Sequence, residues 1–131
     1  MTLTEEQEKH HQELLRSISK GEELLKAKPG VHGMSEHLQN LASFLSYTPR
    51  MVEISSAIYS WAKGQAAEEA MNNEVILAAK QNIQMKWIEG KIAKYGALYD
   101  KTERLKKSID SAIDAYRSLL SYEKEQMRNA T

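Results

Sequence analysis

Apolar positions along this chain recur at helical spacing and nowhere alternate in the manner of a half-buried strand. Leu14, Leu15, Ile18 and Leu25 lie on one side of a first helix, behind the opening Thr4-Glu5-Glu6-Gln7. Thr4 is placed as the N-cap and Gln7 in the capping-box position, so the helix is expected to start there. The stretch KAKPGVHG ends it, because Pro29 has no amide donor and two glycines come after it. Leu38, Leu41, Ala42 and Leu45 then share a face of a second helix, with Ser35 as its N-cap. SYTPR reads as a second break: Thr48 as N-cap with Pro49 at the first helical position predicts a third helix. That helix carries Met51, Ile54, Ile58 and Trp61 and runs to about Ala70.

MNNE is a turn in which Asn72 or Asn73 can cap the next helix. From Glu74 to Met127 there is no proline and no clear stop, a span of roughly 80 Å if helical throughout. Gly90, Gly96 or the polar patch YDKTER are the places where it could bend. Ile88, Ile92, Tyr95 and Tyr99, then Ile109, Ile113, Tyr116 and Leu120, are spaced by steps of four and three, with Thr102 and Lys106 interrupting. A seam of this length wants partner helices. A chain of 131 residues offers limited cover for it, so a homo-oligomer built along that seam is expected. The predicted fold class is all-α: one domain, a bundle of about four helices, with an N-terminal helix in 1–28, a helical pair in 35–70 and a long C-terminal helix over 73–128.

Composition narrows the function classes. There is no cysteine, which removes disulfides and thiolate metal sites. The opening MTLTEEQEKHHQELL lacks the basic and apolar regions of a secretory signal, and no apolar run approaches the roughly 20 residues of a membrane span. A cytoplasmic protein without a membrane partner is therefore expected. No phosphate loop, nucleophile elbow or zincin motif occurs, and Glu68 and Glu69, being adjacent, diverge on a helix. Glu6, His10 and Glu13 share a helical face at metal-binding spacing, but a Glu-rich terminal helix is ordinarily solvated. His32 sits in a glycine-flanked turn. No enzyme activity, metal or cofactor is expected.

Charge is where the sequence departs from blandness. The formal net charge is zero, yet residues 80–107 hold eight basic side chains against Glu89, Asp100 and Glu103. Residues 29–79 are mildly acidic in compensation. On a helix Lys80, Trp87, Lys91, Lys94 and Lys101 form one stripe, about 100° round from the Ile88–Tyr99 seam. Lysines along a line can track phosphates, and an aromatic beside them can stack a base, a combination that holds single-stranded nucleic acid. The candidate contacts are Lys86, Trp87, Lys91, Lys94, Lys101, Arg104 and Lys107. Lys86, Arg104 and Lys107 fall on another face from the stripe, which favours a groove shared between chains. The competing reading makes the lysines cover for the seam edge, through their methylene stems, in a protein-interaction module such as an adaptor, virion component or inhibitor. A third reading is an oligomer that sequesters a small anionic ligand.

The C-terminal wording AIDAYRS…EKEQMR, with the upstream LQNLASFLSY and the aromatic–basic helix between them, resembles phage recombination mediators of the UvsY-like type. The resemblance covers the last 95 residues or so in organisation and about 20 in wording. It implies a helical ring that binds single-stranded DNA and helps load a recombinase onto strands coated by single-strand-binding protein. The family's Lys-Ala-Arg-Leu-x-Tyr element is absent; KIAKYGALY, Lys91 to Tyr99, matches it in composition only.

Overall fold

The computed structural model describes residues 1–130. Four helices occur in order: α1 over Glu5–Lys26, α2 over Met34–Met71, the single turn α3 over Glu74–Leu77, and α4 over Gln81–Asn129. A 3-10 turn, Val31–Gly33, leads into α2. The described residues contain no strand. At 49 residues, α4 is about 73 Å long and runs through Gly90 and Gly96 without interruption.

The ends form where the local chemistry directs. Thr4 accepts from the Gln7 amide, and the Gln7 side chain accepts from the Thr4 amide, completing the capping box. Asn73 accepts from the amides of Val75 and Ile76 and so starts α3. The chain then turns through Ala78–Lys80, where the Gln84 side-chain amide donates to the carbonyls of Leu77 and Ala79 and ties the start of α4 to the connection.

α2 and α4 form an antiparallel hairpin: Trp61 meets Tyr95 edge-on, Tyr59 lies near Tyr99, and His37 packs edge-on against Tyr116. The contact row on α2 begins with the bulky Leu41, Phe44, Met51, Ile54 and Ile58 and ends with Ala62, Ala66 and Ala70, all buried. Alanine at every fourth position leaves α4 room to lie close as the hairpin narrows to its tip. α1 packs along the hairpin and buries Leu14, Ile18 and Gly21 against it. A Cβ at position 21 would stand 2.6 Å from Phe44 Cζ and 2.9 Å from Leu105 Cδ2, so only hydrogen fits there.

Three expected boundaries are corrected. The long helix expected over 73–128 is interrupted at Ala78–Lys80, so that α3 is a separate turn and α4 begins at Gln81. Ser35 is an exposed residue of the first turn rather than the cap, which falls at Gly33. More significantly, SYTPR does not break the chain, and the expected pair over 35–70 is one helix of 38 residues. A proline within a helix removes the donor to the carbonyl four residues back, here Leu45. The Thr48 hydroxyl donates to that same Leu45 carbonyl at 2.7 Å, from a side chain only 1% exposed, while Pro49 itself faces outward. The missing backbone bond is replaced from the adjacent side chain, and Phe44 and Met51 anchor the helix in the core on either side.

This replacement predicts coupling. Thr48→Val should lower unfolding free energy by about 1–2 kcal/mol in the parent chain, and by clearly less in a Pro49→Ala background, where residue 49 donates to Leu45 itself. Equal losses in both backgrounds, measured by denaturant unfolding, would refute it. The glycines should also separate. Gly21→Ala should destabilise by about 1–3 kcal/mol through overpacking. Gly90→Ala, where nothing lies within 4 Å of the added carbon, should stabilise by about 0.5–1 kcal/mol.

Candidate nucleic-acid interface

The apolar seam of α4 is occupied within the chain. Ile92, Tyr95, Ile109 and Ile113 are buried, and Ile88, Tyr99 and Tyr116 are half-buried against the same bundle. Tyr116 also donates to the Ala27 carbonyl at the end of α1. Thr102, expected as an interruption, is buried with its hydroxyl donated to the Leu98 carbonyl at 2.9 Å, so it takes a core position without an unpaired polar group. Leu105 joins it in the core. Leu120 lies half-buried on the final stretch of α4, where Leu119, Tyr122 and Met127 are exposed.

The outer surface of α4 is correspondingly free. Lys86, Lys91, Lys94, Lys101, Arg104 and Lys107 are all exposed, and Trp87 is half-buried. Lys86 and Arg104 are eighteen residues apart, which is five full turns, so they lie on one line about 27 Å long. Between them the crest of the helix carries Gly90, Ala93 and Ala97, all exposed. Lys94 and Lys101 stand along one side of that crest, about 60–80° round from it. The face is thus a ridge of small residues with Lys94 and Lys101 on one side, and with the exposed carboxylates of Asp100, about 40° from the line, and Glu89, together with Lys107, on the other.

The lysine stripe does not stay intact along the helix. Its line continues to Leu105, which is buried beneath α1, so the stripe leaves the surface about one turn beyond Lys101. Two of its members have carboxylates from neighbouring helices. Lys101 Nζ lies 3.0 Å from Glu22 Oε1 of α1, and Lys91 Nζ lies 3.9 Å from Glu69 Oε2 of α2. Lys91 also stands 5.1 Å over the Trp87 ring and Lys94 4.9 Å over the Tyr95 ring. Trp87, the one aromatic placed beside the row, therefore presents a ring already covered by an ammonium. The Arg104 Nε donates at 3.4 Å to the Asp100 carbonyl. Lys86, Lys94 and Lys107 have no carboxylate within 4.0 Å among the described residues.

Glu22 and Glu69 could not be assigned to this face from the sequence, since each reaches α4 only through tertiary packing. The Gly90–Ala93–Ala97 crest does leave a signal there, small residues at steps of three and four, which lysine spacing alone does not capture. Glu13, one of the three residues at metal-binding spacing, is engaged elsewhere: it accepts from the Tyr47 hydroxyl and lies 3.8 Å from Arg50. Burial, and then that hydrogen bond to Glu13, raises the Tyr47 pKa above its ordinary value. This cluster ties α1 to α2. Among the described residues no three His, Asp or Glu side chains converge in a way that would hold a metal ion, and no helix is long and apolar enough to cross a membrane.

No protein-family model, curated protein or solved structure matches this chain.

Proposed function

We propose that this protein is a non-enzymatic accessory protein that binds single-stranded DNA along the outer face of α4. The observation that carries the reading is the exposed face of α4 bounded by Lys86, Lys94, Lys101 and Arg104, four cations against the nearby Glu89 and Asp100, left free because α1 and α2 cover the opposite side of the helix. A convex ridge with no enclosing walls suits an extended polyanion tracked through its phosphates, and it supplies little for reading bases. Lys86, Lys94, Lys101 and Arg104 are the primary contacts, with Lys107 at one margin; Lys91 and Trp87 lie about 140° and 100° round the helix from the crest and are met where the strand crosses to that side, Trp87 once Lys91 moves aside. The resemblance of AIDAYRS…EKEQMR to recombination mediators supports the more specific role of assisting a recombinase on strands covered by single-strand-binding protein.

Titration of labelled oligo-dT by anisotropy tests this. Four phosphate contacts predict a slope of about −3 in log K against log salt. Lys86→Glu with Arg104→Glu should weaken binding at least tenfold while leaving the helical circular-dichroism spectrum unchanged. Absence of binding by folded protein at about 50 mM salt would overturn the reading.

A second reading, assembly through a protein contact, is favoured by a different observation. At the hairpin tip Met71, Val75, Leu77, Ile83 and Met85 are each 49–79% exposed, although the core beneath is filled. Large side chains in that number at one end of a molecule mark a contact surface more often than a free one. If the protein forms a homo-oligomer through this end, Leu77→Ser with Met85→Ser should reduce its mass by light scattering. An unchanged mass would remove the tip from the interface.

A further inference from the structure

We infer that Glu22 and Glu69 act as internal competitors for the phosphate track, holding Lys101 and Lys91 until a nucleic-acid strand displaces them. The inference rests on the DNA-binding reading and concerns the regulation of that same face. The two carboxylates come from different helices, α1 and α2, yet they meet the same lysine stripe of α4 ten residues apart, about 15 Å along the axis. Each takes the position beside an ammonium that a phosphate oxygen would take. Glu69 has a second cation, the Met1 amino group, at 3.2 Å, so releasing Lys91 does not leave that carboxylate alone. Glu22 is 40% and Lys101 55% exposed at the side chain, and Glu69 and Lys91 are 33% and 47% exposed. Solvent therefore screens both pairs, which makes them weak enough to be exchanged for phosphate at small cost. Lys94, between them, has no such partner and remains available for first contact. A strand captured there and by Lys86 then recruits Lys91 and Lys101 by exchange, and Lys91 uncovers the Trp87 ring as it moves.

The test compares two double variants with the same change in net charge. Glu22→Gln with Glu69→Gln removes the proposed competitors. Glu36→Gln with Glu125→Gln removes two exposed carboxylates that have no ion pair to this face. Oligo-dT affinity is measured by anisotropy across a salt series, with thermal melts confirming that each variant is folded and Glu22→Gln alone as a milder second variant. The first pair is expected to bind about fivefold to tenfold tighter at low salt, since Lys91 and Lys101 no longer have to leave a carboxylate before they meet phosphate. The control pair should stay within about twofold of the parent chain. Equal tightening by both pairs would reduce the effect to net charge and overturn the inference, as would no change in either, while the DNA-binding reading would stand. Failure of the parent chain and every variant to bind would instead remove that reading together with the inference.

Discussion

A 49-residue helix with an apolar stripe along most of its length cannot expose that stripe to water, and the chain meets this demand from within. The antiparallel α2 supplies a matching row, bulky from Leu41 to Ile58 and reduced to alanine from Ala62 onward. The rest of the molecule depends on this pairing. It fixes which side of α4 is core, and so which side is left to carry Lys86, Lys94, Lys101 and Arg104 outward. It also requires α2 to be continuous, because a break at Pro49 would uncouple the two halves of the row. The Thr48 hydroxyl, bonded to the Leu45 carbonyl, is the local device that lets the helix pass through a proline.

α1 completes the bundle on different terms. Its fully buried residues are few, Leu14 and Ile18 with Gly21 pressed against Phe44 and Leu105; Leu24 and Leu25 pack partly buried against the same core, and polar contacts add to the attachment. Glu13 is held by Tyr47 and Arg50, and Glu22 by Lys101. Contacts of this kind set orientation more than they add stability, being screened and partly exposed. The consequence for function is that a helix needed for the core also brings acidic groups to the edge of the basic face. The electrostatics of α4 are therefore a property of the assembled bundle, and the local excess of lysine overstates the field that a ligand meets.

Much of the fold was legible because its signals are local. The Thr4–Gln7 box, the Asn73 cap, the stop at Pro29 and the Ile88–Tyr116 periodicity each depend on neighbours within a turn or two. The illegible features depended on contacts between helices. Thr-Pro at 48–49 is chemically a good helix start, and only the burial of Thr48 and the packing of Phe44 and Met51 make it helix interior. The stripe through Lys94 and Lys101 obeys a 100° advance per residue, yet arrival of α1 turns its next position, Leu105, into core. Length alone argued for partner chains along the seam, whereas one chain fills it as far as Tyr116. Most apolar positions that remain outside are at the tip and along the final turns of α4, with Leu15 of α1 and Val31 before α2 exposed as well.

On the proposed reading, the free outer face of α4 is the surface a single strand of DNA touches. Lysine footprinting by amine acylation and mass spectrometry, with and without saturating oligo-dT, tests it most directly, because it reports every lysine of the chain at once. Protection of Lys86, Lys94 and Lys101 is predicted, with Lys9, Lys20 and Lys63 unchanged. Uniform protection, or protection confined to lysines off this face, would contradict it.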